Sequence, residues 1–276
     1  MAPSHPECGS VGVTRIVMKT IILCGGQGTR IRDVAADLPK PMVNVGRFPI
    51  LWHIMKIYAK WGHVDFVLCL GYQSAAIKDF FLNYQVRTSD VTITLGREPK
   101  VECLTRDGDD DWRVTLAETG LNAMTGARVR RIRRYVDGER TFMLTYGDGV
   151  GDVDIAALLA FHKRHGKVMT VTGVRPPGRF GELEIDGARI VGFNEKPQVS
   201  EGRISGGFFV CDARLFDYLD DDEGLVLEER PMQRLVKDGE LMVYAHDGFW
   251  HMMDTPRDHK LLNELWDRGN APWQVW

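Results

Sequence analysis

Strand and helix signals alternate from residue 20 to residue 165, and that alternation predicts an α/β fold: a Rossmann-like mixed, mostly parallel sheet flanked by helices. Two further observations refine the expectation. The first apolar run, residues 20–24, reads as a buried strand and enters Gly25, Gly26 and Gly28, a sharp strand-to-helix turn. From residue 167 onward strand patterns dominate, which predicts a smaller β-rich addition.

In chain order, Ile50, Leu51, Ile54, Ile57, Tyr58 and Trp61 recur at three- and four-residue spacing, an amphipathic helix ended by Gly62. Residues 65–70 read as a buried strand, and Ser74 as the N-cap of a helix through Tyr84. Residues 91–95 and 113–116 are strand-like. The acidic run 107–111 lacks the spaced positions and closing Glu of a Ca²⁺ loop and reads as a solvated turn. Residues 128–135 hold five arginines, but Val129, Ile132 and Tyr135 repeat every three residues. A helix with one buried stripe and a solvated basic face is expected there, rather than a nucleic-acid surface. Residues 141–145 form a core strand ending at Gly147-Asp148-Gly149. Residues 154–165 form a helix with Ile155, Leu158, Leu159 and Phe161 inward. Strands follow at 168–174, 182–185, 189–193 and 208–210, helices at 213–219 and 228–237, a strand at 241–245 and a last helix at 256–268.

Composition narrows the function classes. With 276 residues and 44% hydrophobic content, the chain suits one large domain. Residues 1–17 read as a flexible extension without an apolar signal core, and residues 18–276 as a single domain. A net charge of -3 argues against general affinity for nucleic acid or anionic membrane, and no apolar run has the length of a span. Five scattered cysteines, with no C-x-x-C pair, are what a cytoplasmic protein would carry.

The glycine turn is the first candidate site. Successive N–H groups in such a turn form a concavity for an anion, and Arg30 adds fixed positive charge. The turn lacks the Lys-Ser/Thr of a P-loop, and its G-x-G-x-x-G third position is Ile31, so neither familiar nucleotide loop applies. In Leu38-Pro39-Lys40-Pro41-Met42 two prolines stiffen the backbone that presents Lys40. Asp148, between two glycines at a strand end, stands where ligands of α/β sheets gather, though a turn aspartate would look the same. Asp254 opens the last helix, where an aspartate alone reads as an N-cap. Glu195-Lys196-Pro197 reads equally as a surface ion pair, and Gly206-Gly207 as a bulge or a close ligand approach.

Taken together, Gly25-Gly26-Gln27-Gly28-Thr29-Arg30 and Leu38-Pro39-Lys40-Pro41-Met42 resemble the signature of the sugar-1-phosphate nucleotidyltransferases. Met124-Thr125-Gly126, Thr145-Tyr146-Gly147-Asp148-Gly149-Val150, Phe180-Gly181, Glu195-Lys196-Pro197, Gly206-Gly207-Phe208-Phe209-Val210 and Met253-Asp254-Thr255 extend the resemblance, toward cytidylyltransferases acting on glucose-1-phosphate. It implies an enzyme that joins CTP and a sugar-1-phosphate, with Mg²⁺, in a homo-oligomer. It implies that Leu23, Gly25, Gly26, Gln27, Gly28, Thr29, Arg30, Lys40, Thr125, Arg128 and Gly147 surround the nucleotide. Gly181, Glu195, Lys196, Gly206 and Gly207 would hold the sugar phosphate, the β-rich part serving the sugar. Asp148 and Asp254 would hold the metal, and Arg30, Lys40, Asp148 and Lys196 would carry catalysis. Arg128 alternatively belongs only to the solvated basic face. Two residues depart from the pattern: Ser205 where Asn is expected, and Glu182 where a small apolar residue is expected. Both lie where the sugar would be framed, so the acceptor is left open. Thymidylyl or uridylyl transfer, and a non-catalytic nucleotide-sugar-binding subunit, are the alternatives. The apolar tail 271–276 is expected to contribute to contacts between copies.

Overall fold

The computed structural model describes residues 18–28, 38–104, 111–176, 182–186, 189–194 and 202–276. Its centre is an eight-stranded sheet. Lys19–Leu23 lies between two parallel neighbours, Thr141–Tyr146 and Asp65–Leu70, and Arg113–Glu118 continues parallel at the outer edge. On the other side Phe209–Asp212 runs antiparallel between Thr141–Tyr146 and Met169–Val174, and Leu241–His246 then pairs parallel with Met169–Val174. The short Ile204–Ser205 pairs antiparallel with the far end of Met169–Val174. The sheet is therefore mixed and mostly parallel, and strands of the β-rich second half complete it. The hairpin Glu182–Asp186/Arg189–Asn194 stands off it as its own ladder.

Continuous apolar runs in the central strands follow from burial on both faces. Ile22, Leu68 and Leu70 enter one core with the helix Ile50–Lys60 and Leu262 of the last helix. Ile21, Leu23, Val67 and Cys69 enter a second core with Ala127 and Val129 of the helix Thr125–Arg131 and with Leu235.

Several local expectations are corrected. Ser74 does not cap its helix: Gln73 precedes it in the left-handed region (φ 49°), and the helix ends at Leu82 before a separate turn, Tyr84–Thr88. Residues 91–94 pair with 100–103 in a hairpin outside the sheet. The arginine-rich stretch is two short helices, Thr125–Arg131 and Arg133–Val136, because Ile132 leaves helical geometry at φ -90°, ψ 0°. The tail packs on its own chain. Trp273 is fully buried, its indole N–H 3.4 Å from His53 Nδ1, and Trp276 meets Trp52 edge-on at 5.6 Å. The extension 1–17 and residues 107–110 of the acidic run lie outside the described residues.

Candidate active site

Two parallel neighbours, Lys19–Leu23 and Thr141–Tyr146, end side by side, and a sheet of this kind opens its ligand crevice at such carboxyl ends. The Gly147 N–H donates to Leu23 O at 3.1 Å, extending the pairing by one residue. A Cβ at Gly147 would sit 2.8 Å from Leu23 O and 3.0 Å from Pro41 Cγ, so only glycine lets the two loops close. Gly28 has φ +56°, and a Cβ there would meet Lys40 Cβ at 3.1 Å, so the glycine turn lies against the lysine turn. Pro39 is extended (φ -67°, ψ 145°) and Lys40–Met42 forms one 3₁₀ turn, the stiff presentation that its prolines predict.

The Lys40 ammonium stands between two carboxylates. Its Nζ is 2.7 Å from Asp148 Oδ2 and also bonds Asp254 Oδ1. Met253 N–H donates to Asp148 O at 2.9 Å, which brings Trp250–Met252 beside Gly149–Gly151 and carries Asp254 to the crevice. Asp254 is not the helix cap. Thr255 is, in a capping box with Asp258, and Asp258 also accepts from the Asp254 N–H at 3.1 Å. The Asp254 carboxylate is thereby left to face Lys40. Burial opposes the charge on Lys40, but Asp148 and then Asp254 outweigh it and hold the ammonium above the ordinary lysine pKa. Asp148 Oδ1 is buried with no hydrogen-bond partner among the described residues.

These features meet at a cleft of about 420 Å³. Leu23, Gly25, Gly26, Gly28, Lys40, Thr125, Arg128, Gly147, Asp148 and Asp254 all line it, so most of the expected nucleotide and metal residues converge. Gln27 is described but does not line it. Thr29, Arg30, Gly181, Glu195 and Lys196 lie outside the described residues.

Arg128 departs from the expected solvated face. It is 4% exposed, and its guanidinium donates to Gly25 O (2.9 Å), Leu70 O (2.9 Å), Thr119 Oγ1 (2.8 Å) and Gly120 O (2.8 Å). Carbonyls of three chain segments and the Thr119 hydroxyl satisfy it, so it fastens the glycine turn to the ends of two neighbouring strands. Desolvation lowers its pKa, the cost of burying a cation among dipoles. Arg130, at the same helix's end, pairs with Asp221 at 2.9 Å, while Arg131, Arg133 and Arg134 remain exposed as expected.

Gly206 and Gly207 back the site rather than line its cleft. Gly207 has φ +76°, a Cβ there would meet Tyr146 Cδ2 at 3.0 Å, and Gly206 O accepts from Trp250 Nε1 at 2.8 Å. Tyr146 stands inside a motif of the resemblance, but neither it nor Trp250 is given a role by the sequence, because each looks like an ordinary core aromatic. Glu228 escapes it entirely. Its carboxylate bonds both the Tyr146 phenol and the Thr125 hydroxyl, the latter at 2.6 Å, yet no motif surrounds it.

The sequence model of the nucleotidyl transferase family matches residues 19–259. The chain is 46% identical over 259 residues to a glucose-1-phosphate cytidylyltransferase of Salmonella typhi, covering 94% of this chain and 100% of that one. It is 40% identical, with the same coverage, to a probable glucose-1-phosphate cytidylyltransferase of Bacillus subtilis. Among solved structures, a putative glucose-1-phosphate thymidylyltransferase of Bacillus anthracis superimposes with a TM-score of 0.63 at 18% identity, covering 94% of this chain and 97% of that one. The inositol-1-phosphate CTP transferase of T. maritima gives 0.61 at 16% identity, covering 94% and 98%. These structural likenesses speak for the fold alone.

Proposed function

The chain belongs to the nucleotidyl transferase family, and on that premise we propose that it transfers a cytidylyl group from CTP to a sugar-1-phosphate, glucose-1-phosphate first among candidates. A phosphate oxygen of the sugar phosphate attacks the α-phosphorus of CTP. The bond from that phosphorus to the bridging oxygen breaks, and pyrophosphate leaves with the electron pair. A phosphate oxygen is already a competent nucleophile, so the protein's task is alignment and charge neutralisation. The carrying observation is Lys40 between Asp148 and Asp254 beside the glycine turn: a cation position held by two carboxylates where phosphates would gather.

Mg²⁺ fits this donor set. It takes one or two carboxylates and completes its shell with water and phosphate oxygens. Asp148, whose buried Oδ1 has no hydrogen-bond partner among the described residues, and Asp254 are the residues that would hold it. No group of three or more His, Cys, Asp or Glu suited to a metal occurs among the described residues, which speaks against a wholly protein-built cage. When bound, the ion neutralises charge on phosphate oxygens. Lys40 is then the group placed to meet the triphosphate, with the glycine turn Gly25–Gly28 beside it; the family resemblance adds Arg30 to the triphosphate and gives Glu195 and Lys196 to the sugar phosphate. Ser205 favours a second reading, in which the acceptor is a sugar phosphate other than glucose-1-phosphate, since a changed polar contact discriminates strongly.

A homo-oligomer in the cytoplasm completes the proposal. Ile93, Leu95, Val101 and Leu104 stay exposed along a two-stranded hairpin, a unit of marginal stability by itself. Cys24, Cys69 and Cys211 are buried free thiols, which suits a reducing compartment. No helix among the described residues is long and apolar enough to cross a membrane.

Pyrophosphate release tests the reading, with a panel of nucleoside triphosphates against glucose-1-phosphate and then a panel of sugar phosphates against CTP. CTP is expected to lead the first panel. Equal or faster turnover with dTTP or UTP removes the cytidine assignment, and tight CDP-sugar binding without product from any pair establishes a non-catalytic subunit.

A further inference from the structure

Resting on the nucleotidyl-transfer reading, we propose that Glu228 is a positioning residue of this site: its carboxylate fastens the Thr125 side of the cleft to the Tyr146 side and so aligns both substrates. Each oxygen has its own donor. Oε1 accepts from the Tyr146 phenol, and Oε2 accepts from Thr125 Oγ1 at 2.6 Å. Thr125 and Tyr146 both line the cleft, and Glu228 reaches them from behind.

The two donors belong to elements with different duties. Thr125 begins the helix Thr125–Arg131, whose Arg128 holds the Gly25 carbonyl of the glycine turn. Tyr146 ends the strand Thr141–Tyr146, two residues before Asp148, and its ring lies against the position a Gly207 Cβ would take. Gly207 in turn follows Ser205 and Gly206, the segment that carries the departure from the family pattern. A chain of contacts thus runs from Gly207 through Tyr146 and Glu228 to Thr125, joining the segment expected at the sugar to the segment expected at the nucleotide.

Glu228 is itself held. Leu227 N–H donates to Thr125 Oγ1 at 2.9 Å, Met124 N–H to Glu223 O at 2.9 Å and Ala127 N–H to Leu225 O at 3.1 Å. Residues 223–228 therefore dock on the helix start. A satisfied polar network of this kind rigidifies what it joins, and supporting contacts of this sort decide how tightly a site is preorganised.

Steady-state kinetics on Glu228→Gln, Tyr146→Phe, Thr125→Val and the pairwise doubles test the proposal. An amide cannot accept from both hydroxyls without turning a donor toward one of them. Glu228→Gln is expected to raise KM for CTP and for the sugar phosphate roughly fivefold to tenfold each, with kcat within about threefold. Tyr146→Phe should raise mainly the sugar-phosphate KM, and Thr125→Val mainly the CTP KM. Adding Tyr146→Phe to Glu228→Gln should leave the sugar-phosphate KM where the single Glu228 variant put it, the non-additivity of groups acting through one another. A Glu228→Gln protein with a lower melting temperature but both KM values unchanged overturns the proposal, and so do fully additive doubles. If Glu228→Gln does not fold, substrate-selective KM effects of the Tyr146 and Thr125 variants support the assignment, and unchanged values reject it. Titration calorimetry with CTP and with the sugar phosphate reads the same shifts in Kd. A wild-type protein that binds both without turnover would therefore defeat the enzymatic reading while this inference is still measured.

Discussion

Asp148 is the residue on which the proposed chemistry turns. Asp148→Asn keeps the shape but removes half of the carboxylate pair that would hold the metal. We expect kcat to fall about a hundredfold or more, roughly 3 kcal/mol, the scale of one preorganised electrostatic group. Lys40 keeps Asp254 as a partner, so melting should shift only modestly. Turnover at the wild-type level across a Mg²⁺ titration would remove Asp148 from the site. His53 makes a different prediction, about acid. It is fully buried, its Nε2–H donates to Val45 O at 2.9 Å, and burial lowers its pKa to about 4. The unfolded chain titrates that imidazole near 6.5, so between pH 6.5 and 4 the unfolded state binds more protons. The stability His53 contributes is complete above about pH 6.5 and lost as pH falls toward 4, on the order of 3 kcal/mol for a shift of this size. Denaturant melts of His53→Gln at a series of pH values should show a shallower acid slope than wild type. An unchanged slope would assign the acid sensitivity to other groups, His162 first, whose pKa burial also lowers to about 4.

The glycine turn and the strand end beside it respond differently to one added methyl group. Among the described residues a Cβ at Gly26 meets nothing within 4 Å, whereas one at Gly147 meets Leu23 O and Pro41. Gly26→Ala should leave stability within about 0.5 kcal/mol, as at other open surface positions, and raise the CTP KM about tenfold by filling ligand space. Gly147→Ala should lower stability by about 1–3 kcal/mol, the cost of overpacking, with activity falling as Asp148 shifts. Parallel thermal melts and CTP kinetics check both, and a Gly26→Ala enzyme with wild-type KM would move the triphosphate away from this turn. The turn and the two strand ends were legible in sequence because apolar runs stopping at glycines report local backbone directly. The inward course of Arg128 was not, since helical spacing cannot tell a solvated arginine from one whose donors are taken by carbonyls of other segments.

At the scale of the molecule, the apolar hairpin face predicts assembly. Light scattering should give a mass above that of the 31.2 kDa monomer, and the paired, exposed Ile93 and Val101, each changed to Asp, should reduce it. A monomeric wild type would reject the oligomer. What the sequence by itself determined is the alternation that makes a parallel-rich sheet, the glycine turn, the stiffened Lys40 and the strand-end Asp148. Each is a property of a few consecutive residues, written in their periodicity, their backbone freedom and the position of a charge beside them. What only the tertiary structure decided is which distant groups meet them. Asp254 comes to Lys40 from 214 residues away, freed because Thr255 takes the cap. Glu228 reaches Thr125 from 103 residues away, and Phe209–Asp212 inserts antiparallel beside Thr141–Tyr146. Such partnerships are set by how the two buried faces of the sheet pack and where the connecting loops can close, and neither leaves a trace in local pattern.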